Sequence, residues 1–245
     1  MPGGARNAGS VSSSTVLVLA LDTATPAVTA GLLRLPAAGP PKVLAERVTV
    51  DARAHGELLM LSVRAVLAVA GVQLRDLAAV VCGAGPGPFT GLRVGMVTAA
   101  ALGDALGLPV YPVCSLDAIA YRAGAGTPLL VITDARRREV YWARYDEAGA
   151  RVDGPHVDRP LDVPLAGVAR IAGAADALGS SLGVPPVVSP VVSPVVAPRH
   201  PDPFGLVAVV AAAVRAHTSP GPLTPLYLRR PDAREPGPVK RVTPV

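Results

Sequence analysis

Val16-Leu-Val-Leu-Ala-Leu-Asp22 is the stretch whose reading decides the fold. Six apolar residues run unbroken and end on an acid, the pattern of a buried strand. Ala27 to Leu35 and Val43 to Val50 read as two further strands, with Pro and Gly marking the turn between them. A helix is predicted over Ala54 to Ala70, a strand over Leu77 to Gly83, a second helix over Gly91 to Gly107, and a strand over Pro109 to Val113. Three strands in a meander followed by helix–strand alternation imply a mixed sheet with helices packed on it.

That order is the one found in ribonuclease H-like units. A second unit begins after Ser115, with a strand pair at Leu129 to Thr133 and Glu139 to Tyr145 and shorter helices near Ala174 and Phe204. The predicted class is therefore α/β, with two ribonuclease H-like domains at 15–114 and 115–219, each a mixed sheet with flanking helices. Residues 1–14, rich in Gly, Ser and Ala, read as a disordered leader. Residues 220–245 read as an extended, Pro-rich tail. The repeat Val187-Val-Ser-Pro-Val-Val-Ser-Pro-Val-Val196 cannot form a central strand because of its prolines, so it is a connection or an edge segment.

Half of the 245 residues are apolar, which is the composition of a folding globular chain. The formal charge of +5 is compatible with RNA or an acidic partner, and equally with a mildly basic solvated surface. Cys82 and Cys114 stand alone in apolar runs, which excludes a disulfide framework or zinc site and suits a reducing cytoplasm. The first apolar run is cut short by Asp22, too early for a signal-peptide core or a membrane span. The expected location is cytoplasmic. His55, His156, His200 and His217 show no ligand spacing, so neither a metal nor a cofactor is expected.

Gly83-Ala-Gly-Pro-Gly-Pro-Phe-Thr-Gly-Leu-Arg-Val-Gly95 lies between a strand and a helix. Glycines in such a turn can expose amides at a helix N-terminus, a natural anion site. No Lys-Ser or Lys-Thr follows, and no dinucleotide fingerprint is present. The turn is thus either an anion site or a tight turn without a ligand. In the first case Asp22, Gly85, Gly87 and Thr90 are the candidates for nucleotide or phosphate contact.

Both helices of the first unit carry surplus apolar surface. After Glu57 the first reads Leu-Leu-Met-Leu-Ser-Val-Arg-Ala-Val-Leu-Ala-Val-Ala, apolar nearly all round. In the second, Gly91, Gly95, Ala99 and Gly103 recur at spacing four, although glycine inside a helix costs about 1 kcal/mol relative to alanine. Either the two domains of this chain bury both helices, or a partner does. The second reading makes His55, Leu58, Leu59, Ser62, Val66, Gly91, Gly95, Ala99 and Gly103 the candidate partner interface.

Several motifs resemble the TsaB (YeaZ) family: Leu19-Ala-Leu-Asp-Thr-Ala-Thr25, Arg53-Ala-His-Gly-Glu-Leu-Leu59, the glycine turn, Ser115-Leu-Asp-Ala118, Asp134-Ala-Arg-Arg-Arg-Glu-Val-Tyr-Trp142 and Pro225-Leu-Tyr-Leu-Arg-Arg230. Pro88 departs from a small residue usual there. The resemblance implies a non-catalytic subunit that pairs with its catalytic paralogue TsaD through the two helices, joined by the ATPase TsaE. TsaD transfers threonylcarbamoyl to N6 of adenosine 37 in tRNAs reading codons that begin with A, so tRNA would be reached through the complex. A homodimer through the same helices is a further expectation for the chain alone, and no membrane partner is expected.

The alternative is an independent ATP-dependent kinase- or carbamoyltransferase-like enzyme, or a peptidase, built on Asp22 and the glycine turn. Against it, the two metal-binding histidines of TsaD-like catalysts correspond here to Ser115 and Ile119, and Asp22 is followed by Thr-Ala without glycine. No catalytic residue is therefore expected. Ser115 reads as a helix N-cap. Arg136-Arg-Arg138 beside Tyr141, Trp142 and Tyr145, and the basic tail Arg229, Arg230, Arg234, Lys240 and Arg241, read either as RNA contacts or as solvated surface.

Overall fold

The computed structural model describes residues 15–175 and 195–229. The leader 1–14, most of the Val-Val-Ser-Pro repeat, any helix beyond Ala175 and the tail from Arg230 lie outside the described residues. So do Arg234, Lys240 and Arg241.

Strands β1 (Val16–Asp22), β2 (Ala27–Leu35) and β3 (Lys42–Val50) form the expected antiparallel meander. Helix α1 (His55–Ala70) leads to β4 (Ala79–Gly83), and α2 (Phe89–Leu106) leads to β5 (Val110–Val113). β4 and β5 join parallel to β1, giving a mixed sheet in the order β3-β2-β1-β4-β5. Helix α3 (Ser115–Ala123) crosses to the second sheet. There β6 (Leu129–Asp134), β7 (Val140–Tyr145) and β8 (Arg151–Asp158) run antiparallel, while β9 (Arg170–Gly173) and β10 (Val195–Val196) add parallel to β6. Its order, β10-β9-β6-β7-β8, repeats the first sheet's plan of three antiparallel strands and two parallel ones. The architecture is the predicted pair of ribonuclease H-like units.

The unbroken apolar run of β1 has a simple cause: both faces of its sheet are covered. Leu19 and Leu21 point toward α1 and α2, while Val18 and Ala20 point toward the last helix, α4 (Pro203–Arg215). α4 supplies Leu206, Val207, Ala211 and Val214 to this first-sheet core, although it lies inside the segment 115–219. Asp202 caps it by accepting the Gly205 N–H at 2.6 Å. α3 bridges the two cores, giving Ala118 to the first sheet and Leu116 and Ile119 to the second. Strand β8 was not foreseen, because as a half-exposed edge strand it has no apolar alternation. Among the described residues no helix is long and apolar enough to cross a membrane.

Candidate functional site

The end of β1 and the glycine turn press against each other. Thr23 places its hydroxyl into the first turns of α2, accepting the Gly95 N–H at 2.9 Å and donating to the Gly91 carbonyl at 2.7 Å. A Cβ at Gly95 would collide with that hydroxyl, and one at Gly87 with the Ala24 backbone. The glycines thus admit the chain's own segment 22–25, so the turn's recess is filled by protein.

Asp22 is fully buried. Ser115 Oγ donates to its Oδ2 at 2.6 Å, and the Ala24 N–H donates to Oδ1 at 2.9 Å. Burial pushes its carboxyl up to about 6, against the opposing effect of those two hydrogen bonds. Asp22 therefore lies beneath the cleft and is not part of its lining. Ser115 is likewise not an N-cap: it is the first residue of α3, its cap position is Cys114, and its hydroxyl serves Asp22. Ile119 is core. No group of three or more His, Cys, Asp or Glu side chains that could hold a metal occurs among the described residues.

Above this floor opens a cleft of about 560 Å³, within the ~300–1,000 Å³ range of small-molecule sites. Its first-unit wall includes Thr23, Thr25, Arg53, His55, Gly87, Phe89 and Thr90. Its second-unit wall is the β6–β7 turn with Asp134, Arg136, Arg137 and Tyr141. His55 Nε2 donates to the Thr25 carbonyl at 2.8 Å, which fixes the imidazole at the floor. Gly87 and Thr90 do line the cleft, and Thr90 is exposed to it; Gly85 is buried behind.

The β6–β7 turn is strained. Arg136, Arg137 and Arg138 take φ of 60°, 53° and 64°, three successive side-chain-bearing residues in the left-handed region. This conformation costs about 1–2 kcal/mol per residue for L-amino acids. Asp134 Oδ1 accepts the Arg136 N–H at 2.7 Å, and the Ala135 N–H donates to the Glu139 carbonyl at 3.0 Å. These hydrogen bonds close the turn around three consecutive guanidinium-bearing residues, a concentration of charge that its neighbours tolerate because all three are exposed.

The chain's last described segment closes the cleft. The Leu226 N–H donates to the Ala84 carbonyl at 2.8 Å. The Tyr227 ring lies 5.0 Å from that of Phe89, and Arg93 Nε donates to the Tyr227 hydroxyl at 3.1 Å. Arg229 then reaches the second unit, donating to the Ala135 carbonyl at 2.9 Å and pairing with Glu139 at 3.2 Å. Tyr227 and Phe89 are not singled out by the sequence, although exposed aromatics are conspicuous in a chain with two Phe and five Tyr. The aromatic trio expected beside the arginines is enclosed by the fold: Tyr141, Trp142 and Tyr145 are buried. Trp142 Nε1 donates to Asp158 and the Tyr145 hydroxyl to Asp117.

Most of the candidate partner-interface residues lie inside this chain. His55, Leu59, Ser62, Val66, Gly91, Gly95 and Ala99 are buried within this chain, on the side of α1 and α2 that faces their own sheet. Gly103 packs on Val110, and Leu58 is half-buried. Gly91 and Gly95 make room for Thr23, and Gly103 makes room for Val110 of β5. The apolar residues left over point the other way: Leu61 is 56% exposed, Val69 78% and Val97 65%, with Met60 beside them.

Fold and cleft define a two-domain ribonuclease H-like protein. Residues 42–163 match the family model described as TsaD, tRNA N6-adenosine threonylcarbamoyltransferase. An uncharacterized protein of Mycobacterium tuberculosis is 54% identical over 217 residues, covering 89% of this chain and 93% of that protein. The tRNA threonylcarbamoyladenosine biosynthesis protein TsaB of Escherichia coli is 34% identical over 137 residues, 54% of this chain and 57% of that protein. The structure of YeaZ from Pseudomonas aeruginosa superimposes with a TM-score of 0.69 and 30% identity, covering 87% of this chain and 100% of that one. The chain belongs to the TsaB (YeaZ) family.

Proposed function

We propose that this chain takes part in threonylcarbamoyladenosine synthesis on tRNA, as a non-catalytic subunit that docks the catalytic paralogue TsaD. Its relatives' names support the pathway. The observation that carries the subunit role is the outward face of α1 and α2, where Leu61, Val69 and Val97 stand in water. Fully burying such side chains is worth about 1.5–3 kcal/mol each, a substantial driving force for association. The helices share one face of the first sheet, so their exposed residues can meet one partner together. Alone, the chain would use the same face to form a homodimer, and TsaE would join after TsaD.

The absence of independent catalysis is supported by how the enzyme-like residues are engaged. Asp22 is sealed under Ser115, the glycine turn is packed with residues 22–25, and Ile119 belongs to the core. Size-exclusion chromatography of the chain with its TsaD paralogue tests the proposal. A stable heterodimer is expected, broken by Leu61→Asp or Val97→Asp, and threonylcarbamoyladenosine should form only in the presence of the paralogue. Unchanged affinity in both variants would refute this interface, and ATP turnover by the isolated chain would refute the non-catalytic role.

A further inference from the structure

We infer that the cleft between the two units is a seat for single-stranded RNA, so that this subunit touches tRNA itself; the inference rests on the proposed role in tRNA modification. Four arginines, Arg53, Arg136, Arg137 and Arg229, line the cleft with one acid, Asp134, and Arg229 is paired with Glu139. The acid's Oδ1 accepts the Arg136 amide and keeps its charge, so the lining retains a positive surplus from Arg53, Arg136 and Arg137. Arg53 and Arg136 are exposed on opposite walls, one from each unit, and can hold phosphates of a strand passing between them.

The rim adds the second requirement of strand binding, an open aromatic surface. Phe89 is 42% exposed and Tyr227 38%, and their rings adjoin at 5.0 Å. Arg93 lies 3.9 Å over the Phe89 ring and hydrogen-bonds the Tyr227 hydroxyl, which fixes the orientation of the pair. Arg93 covers one face of Phe89, so the exposed part of Tyr227 is the stacking surface offered to a base, without sequence selectivity.

The same geometry disfavours a free nucleotide. Its phosphates would find no recess of backbone amides, because the chain's own residues 22–25 occupy it. Asp22, the strand-end carboxylate, is fully buried, and Asp134 in the lining already accepts the Arg136 amide. A strand needs neither, because its charges are spread along its length and its bases stack at the surface.

Fluorescence anisotropy with the full chain and a labelled twelve-nucleotide single-stranded RNA tests the inference. The wild type is expected to bind at low salt, with affinity falling as salt rises. Arg53→Glu and Arg136→Glu should each weaken binding about tenfold. Each should also flatten the slope of log affinity against log salt, by about 0.7 for every phosphate that is no longer neutralised. Tyr227→Ala should weaken the single strand more than the matching duplex. Thermal unfolding reported by the sole tryptophan, Trp142, checks that each variant is folded. Wild-type affinity in both folded arginine variants would overturn the assignment. So would displacement of the strand by millimolar ATP, which would mark a nucleotide pocket, or tighter binding of an acidic peptide than of RNA, which would mark a protein-docking groove. RNA binding that persists when the paralogue fails to associate would sink the subunit reading and leave the cleft assignment standing.

Discussion

The hydroxyl of Thr23 bridges one rung of helix α2, accepting from the Gly95 amide and donating to the Gly91 carbonyl. This ties the end of the first strand to the start of the helix after the glycine turn. It explains why that helix tolerates glycine where its propensity argues against it.

Gly95→Ala should therefore destabilise the chain. The clash with Thr23 costs ~1–3 kcal/mol, against a helix-propensity gain of about 1 kcal/mol. In the double variant with Thr23→Ala, the combined loss should be smaller than the sum of the single ones, because the colliding atom is gone. Urea unfolding of the four proteins measures both, and a wild-type midpoint for Gly95→Ala would contradict the packing.

Asp22 should make stability pH-dependent. Its carboxyl is raised from 3.8 to about 6, so the native state holds this proton more tightly than the unfolded chain does. The resulting stabilisation is complete below pH 3.8 and is lost as pH rises through about 6. It amounts to on the order of 3 kcal/mol. Subtracting the Asp22→Asn stability curve from that of the wild type should reveal a fall confined to this window. Asp117, also raised by burial, is present in both proteins and cancels in the difference.

The two sides of α1 should respond differently to truncation. Leu59→Ala opens a cavity in the first core and should cost ~2–5 kcal/mol. Leu61→Ala removes an exposed side chain and should stay within about 0.5 kcal/mol of wild type. Affinity for the paralogue should show the reverse order. Thermal unfolding and a binding titration on the same two variants decide it.

The C-terminal segment should contribute modestly to stability. Arg229→Ala removes a hydrogen bond to Ala135 and a partly exposed ion pair with Glu139, together about 1 kcal/mol. In a chain of this size that lowers the melting temperature by about 2–4 °C. Calorimetry of this variant should show the shift; an unchanged midpoint would mean the segment does not hold the two units together.

Much of the fold is legible in sequence because it depends on local pattern. The run Val16–Asp22, the meander after it and the glycine turn each carry their own signal of period and breaker residues, so the first unit can be placed almost strand for strand. β8 cannot, because in Arg151–Asp158 the two valines, Val152 and Val157, are five apart and so give no period-two alternation in an edge strand. The aromatic rim is hidden because Phe89 and Tyr227 are 138 positions apart and meet only when the last segment crosses the glycine turn.

Helices α1 and α2 show the limit most clearly. Apolar excess on α1 and small residues on α2 are visible in the sequence, but which way each side faces is not. A helix that is apolar nearly all round fixes no rotation about its axis, so only packing against Leu19, Leu21 and Thr23 decides it. Sequence by itself determined two ribonuclease H-like units and an excess of apolar helix surface, since both follow from periodicity along the chain. Tertiary structure alone decided that the glycines receive Thr23, that Leu61 and Val97 face outward, and that arginines from both units line one cleft. Each of those outcomes depends on residues far apart in the chain being brought to the same point.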